Sequence, residues 1–108
     1  MKMVTFVVNP LKLDALKKLL WDQGFKTATL TASEGLGLQK GSGDEIFTAV
    51  QQPRVKLELA IKDAALDALL EAALEALRTG RVGDGKIFVS ELGQAVRVRT
   101  GERGDSAL

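Results

Sequence analysis

Residues 3 to 8, Met-Val-Thr-Phe-Val-Val, constrain the fold of this chain more than any other segment. They are apolar or β-branched on both parities, the pattern of a strand covered on both faces. A chain of 108 residues makes one domain, so it needs helices on one side of that strand and a second cover on the other. Two helical patterns supply the first cover. Asn9-Pro10 opens one, with Asn9 as cap and Pro10 at the first helical position. Leu13, Leu16 and Leu20 carry its apolar face, and Gly24 is its natural stop. Asp63 is a candidate cap for the second. Its stripe is Leu66, Leu69, Leu70, Ala73, Leu74 and Leu77, and Gly80 ends it.

Three more strands follow from composition and alternation. Residues 26 to 32 favour a strand by β-propensity. Val55, Leu57, Leu59 and Ile61 alternate cleanly along a third, and Lys86 to Val89 begin a fourth. Residues 35 to 53 have no period and read as a long loop, in which Ile46 and Phe47 are candidates to pack. Residues 95 to 99 form a short extended piece, and the tail 101 to 108 is expected to be loose. The order is β-α-β-β-α-β. It predicts an α+β, ferredoxin-like fold: a four-stranded antiparallel sheet with two helices on one face. The open face then calls for a partner subunit, hence an oligomer. Trp21 is expected in the core or an interface, and Lys17 and Lys18 on a solvated helix face.

Composition excludes several chemistries. There is no cysteine, histidine or tyrosine, which removes disulfides, thiolate nucleophiles and imidazole bases. A net charge of +1 gives no global field to draw nucleic acid. No apolar run approaches the ~20 residues of a membrane span, and the N-terminus reads as a strand rather than a signal peptide.

Two glycine-rich segments carry what chemistry remains: GLGLQKG at 35 to 41 and TGRVGDGK at 79 to 86. The second fits G-x-x-x-x-G-K, but Ile87 stands where a magnesium-binding Ser or Thr belongs and a strand follows instead of a helix. A Walker-type NTPase is therefore rejected. The first misses the dinucleotide fingerprint by one residue. Gly83, Asp84 and Gly85 can still offer backbone N–H groups to an anion, with Lys86 as a point charge. A purely structural turn explains either segment taken alone. Arg97 and Arg99, at i and i+2, would share one face of a strand and suit a phosphate chain or a solvated edge. No paired carboxylates stand out for catalysis, so the chain reads as no enzyme.

Together these residues resemble the PII signal-transduction family over almost the whole chain. TGRVGDGKIFV at 79 to 89 is similar to the family's C-terminal signature, and VRVRTGE at 96 to 102 to its arginine-bearing segment. Gly35, Gly37 and Gln39-Lys40-Gly41 resemble the start of its T-loop, and Asn9 to Asp14 its first strand–helix junction. The resemblance implies one domain over 1–108, with a T-loop at 37–54, a phosphate loop at 79–86 and a C-terminal segment at 91–108. It implies a cytoplasmic homotrimer that binds ATP or ADP in clefts between subunits. Gly83, Asp84, Gly85 and Lys86 would hold phosphates. Gly35, Gly37, Leu38, Gln39 and Lys40 would line the cleft, Glu58 and Ala60 would lie near the adenosine, and Arg97 and Arg99 would reach in from the next subunit. Gln39 would coordinate magnesium when ATP and 2-oxoglutarate bind together, and Lys40, Gly41 and Arg54 would complete the effector site. The T-loop would regulate a partner protein or a membrane transporter, in nitrogen regulation.

The chain departs from the family pattern in places. Its T-loop is short and lacks the modifiable tyrosine, which removes tyrosine uridylylation. Leu38 stands where members usually carry arginine, and Arg54 where they carry a lysine. Two other readings follow: a trimeric interaction module with a degenerate cleft, and a sensor for another small anion such as bicarbonate.

Overall fold

The computed structural model describes residues 1–41, 43 and 47–108, without the side chains of Gln39, Phe47 and Thr48. Alternation decides which way each strand faces. In β1 (Lys2–Val8), Val4, Phe6 and Val8 are buried while Met3, Thr5 and Val7 are half-buried. The chain then turns at Asn9, whose side-chain oxygen accepts from Leu11 N–H at 2.9 Å, and passes through a 3-10 turn (Pro10–Lys12) into α1 (Leu13–Asp22). Gly24, at φ +88°, closes that helix as expected. β2 (Thr29–Lys40) and β3 (Phe47–Ile61) follow, then a 3-10 turn (Asp63–Ala65), α2 (Leu66–Leu77) and β4 (Lys86–Glu91).

Among the described residues the sheet has the order β2-β3-β1-β4, antiparallel throughout. Val4 faces Leu59 and Phe6 faces Leu57, so the alternating residues of β1 and β3 share one side. Both helices pack there. Phe6, Leu16, Ile61 and Leu69 are fully buried at their centre, and each such side chain stabilises the fold by about 1.5–3 kcal/mol. This is the ferredoxin-like arrangement that the element order predicts.

Four expectations differ. The loop at 35 to 53 is largely a two-stranded ribbon, in which β2 and β3 pair from Thr29↔Glu58 up to Lys40↔Phe47. β1 reaches only to Val55, so the upper ribbon has a free edge on the β3 side. That is where Pro53 is tolerated. The expectation that Ile46 and Phe47 pack lies outside the described residues and side chains. Asp63 does not cap its helix; its carboxylate pairs with the N-terminal ammonium at 2.9 Å, and charge attraction outweighs a cap bond. Trp21, expected in the core or an interface, is 68% exposed and so lies outside the core of the chain. The tail is not loose: Gly104 N–H donates to Ala95 at 2.9 Å and residues Gly104–Ala107 form a 3-10 turn.

Candidate functional site

The loop between α2 and β4 is built around one carboxylate. Asp84 Oδ2 accepts from Thr79 N–H at 2.8 Å and Gly80 N–H at 2.9 Å. Its Oδ1 accepts from the Thr79 hydroxyl and from Lys12 Nζ at 3.0 Å. Four donors fill the four lone-pair positions of a carboxylate. The Thr79 hydroxyl foremost, then the Thr79 N–H and Lys12, hold the Asp84 carboxyl far below the usual carboxylate range. Asp84 thus pins the loop and directs no oxygen outward.

Glycines give the loop its path. Gly80, Gly83 and Gly85 have φ of +81°, +100° and +97°. Gly85 is also pressed against β1, where an added Cβ would lie 2.4 Å from the Val7 carbonyl oxygen. Among the described residues, the N–H groups of Gly83, Asp84 and Gly85 make no hydrogen bond, and the exposed Lys86 begins β4 beside them. A pinned turn with free amides beside an ammonium is a site for an anion.

The other expected residues fall into three groups. Gly35 and Gly37 lie on the open side of the β2–β3 ribbon, in register with Gln52 and Val50. Leu38 and Lys40 alternate to the opposite side, and Leu38 is 63% exposed. The magnesium and effector contacts expected of Gln39 rest on a side chain outside those described. Arg54 covers Gly35, with its Cγ 3.1 Å from where a Cβ would stand, and donates to Gln52 and Pro53. Glu58 and Ala60 sit on the open face of β3, where Glu58 accepts from Thr5 at 3.2 Å. β2 and β4 are the two edges of the sheet. The glycine loops therefore share the end where Val8 lies but stand at opposite edges, with β3 and β1 between them.

The C-terminal segment leaves from the other end, where Leu92 N–H donates to Met1 at 3.1 Å. Its expected strand is one bridge, Val96↔Arg103, closed by a turn in which Gly101 N–H donates to Arg97 at 2.7 Å. Arg97 and Arg99 therefore do not share a strand face. Arg97 donates to the Leu108 carbonyl at 3.0 Å and lies 3.8 Å from Glu102.

A family model described as "Nitrogen regulatory protein P-II" matches residues 1–102. The chain belongs to the P-II family. The nitrogen regulatory protein P-II of Rhodospirillum rubrum is 42% identical over the full length of both chains, and GlnK of Escherichia coli K12 is 39% identical, also in full. Two solved structures of Bacillus subtilis GlnK align with TM-scores of 0.89, at 33% and 34% identity. They cover 99% of this chain and 97% and 94% of their own; the second is a complex with ATP. P-II proteins are regulators of nitrogen metabolism, and this member contains no tyrosine. Among the described residues no helix is long and apolar enough to cross a membrane, and the carboxylates form no metal-holding cluster.

Sequence reasoning missed Lys12 as part of the loop. No local signal marks it: Lys12 lies at the start of the first helix, and only the fold brings that point beside the loop.

Proposed function

We propose that this P-II member is a trimeric, cytoplasmic sensor of adenine nucleotides that regulates a partner through its T-loop and catalyses no reaction of its own. One observation carries the reading: residues 79–86 form a pinned turn with free amides beside Lys86. The sheet supports the site's position between subunits. The two glycine loops lie at opposite edges of one chain, and they would meet where the β2 edge of one copy stands beside the β4 edge of the next. Arg97 and Arg99 start from the far end and would enter such a cleft from a neighbour. The present partners of Arg97, Glu102 and Leu108, would be exchanged for phosphate oxygens.

The nucleotide would be ATP or ADP, with magnesium accompanying ATP and Gln39 the residue to reach it. Gly35, Gly37, Leu38 and Lys40 would line the ribbon side of the cleft, and Glu58 and Ala60 the adenosine side. Binding would favour one T-loop state, and the partner, a protein or membrane transporter, would bind one state better.

Leu38 and the Arg54 contacts favour a second reading of the effector. Arg54 is turned along its own strand, so 2-oxoglutarate must displace it, whereas bicarbonate needs less room. A calorimetric panel separates the cases: ATP, ADP and AMP, each with and without magnesium, 2-oxoglutarate and bicarbonate. The reading expects at least one adenine nucleotide to bind and Lys86→Ala to weaken it at least tenfold, the scale of one charge-assisted contact. No binding of any of the three would refute it.

A further inference from the structure

Lys12 sits where three elements converge. The turn at Asn9 fixes its backbone, with Lys12 N–H donating to Asn9 at 2.9 Å. Its side chain, only 19% exposed, crosses to the far half of the chain. There its ammonium donates to the carbonyl of Leu77, the last residue of α2, and to Asp84 at 3.0 Å. The first contact places a cation at the negative end of a helix. The second neutralises Asp84, the one acidic residue of TGRVGDGK. An uncompensated carboxylate one residue from Gly83 and Gly85 would repel any anion those amides receive.

We propose that Lys12 is a positioning residue of the phosphate loop: it ties the loop to the end of α2 and cancels the charge of Asp84, so that the amides of residues 83–85 and Lys86 can take a nucleotide phosphate. Lys12 does not touch the ligand; two of its three donors are spent inside the chain. Asp84 shapes the loop through three uncharged donors from Thr79 and Gly80, and Lys12 makes that carboxylate compatible with an anion. The idea rests on the nucleotide reading above.

The test is calorimetry of the oligomer with ATP, ADP and adenosine, on wild type, Lys12→Met, Lys12→Arg, and Lys12→Met combined with Asp84→Asn. Lys12→Met should weaken ATP about tenfold or more, ADP less and adenosine least, because the lost term scales with phosphate charge. Lys12→Arg should keep most of the affinity, since it retains the cation. Adding Asp84→Asn to Lys12→Met should recover much of the ATP affinity by deleting the exposed charge. A purely structural lysine would weaken all three ligands alike, and the second substitution would only make matters worse; either result overturns the proposal. Lys12→Gln, which keeps a donor without the charge, carries the same comparison if Lys12→Met does not fold. Wild type that binds ATP alongside an unchanged Lys12→Met overturns this proposal alone. Wild type that binds none of the ligands overturns the nucleotide reading with it.

Discussion

Substituting Gly85 by alanine should damage the fold much more than the same change at Gly83, although the two sit in one loop at nearly the same φ, +97° and +100°. Both pay for a left-handed backbone with a Cβ, about 1–2 kcal/mol. Both gain the same small amount from a less flexible unfolded chain, about 0.4–1 kcal/mol. Only Gly85 meets a wall: its new Cβ would lie 2.4 Å from Val7 O and 3.1 Å from Val8 Cα, while at Gly83 nothing stands within 4 Å. Backbone atoms of a central strand cannot swing aside as a side-chain tip can. Relieving such an overlap costs typically about 1–3 kcal/mol. The difference between the two variants is therefore about 1–3 kcal/mol, since the shared costs cancel. In a domain of this size that is a gap of at least about 4 °C in the unfolding midpoint. Thermal melts by far-ultraviolet circular dichroism, at one protein concentration because an oligomer's midpoint depends on it, would measure it. Equal midpoints for Gly83→Ala and Gly85→Ala would refute the packing of the loop against β1.

Other consequences follow from the same structure. Leu69→Ala, at a fully buried position between the helices and the sheet, should cost about 2–5 kcal/mol in urea unfolding without abolishing the fold. Asp84 and Asp63 both have lowered carboxyl pKa values, the first from the Thr79 hydroxyl and the second from its bond to the N-terminal ammonium. A depressed folded pKa stabilises above the unfolded value near 4 and loses that contribution as pH falls below it. Stability should thus decline below about pH 4, and Asp84→Asn should flatten that decline while lowering stability at neutral pH; an unchanged acid slope would contradict the role given to Asp84.

The helix-side core was legible because Val55, Leu57, Leu59 and Ile61 can face only one way, and their partners in β1 follow. The ribbon of residues 35–40 and 47–53 was not. Gly35, Gly37 and Pro53 read as strand breakers, yet main-chain pairing in a two-stranded ribbon depends little on side chains, and the free edge accepts a proline. The turn at Arg97 was hidden for a similar reason: Gly101, at φ +75°, lets the chain reverse where alternation suggested it would continue. At the site, the sequence marked TGRVGDGK as an anion loop and made Asp84 a phosphate-holding residue. The contacts give its carboxylate a different task, as the loop's internal pin, and leave its amide free for an anion. That assignment depends on Lys12, 72 positions away, and no local pattern could show it.

The central claim is that the amides of this loop receive a nucleotide phosphate. Amide resonances of Gly83, Asp84, Gly85 and Lys86, followed by NMR as ATP is added to the protein, test it most directly. The account predicts large shifts confined to these four and to the residues facing them across the subunit cleft, lost in Lys86→Ala. Saturable ATP binding that leaves the four amides unmoved would contradict it.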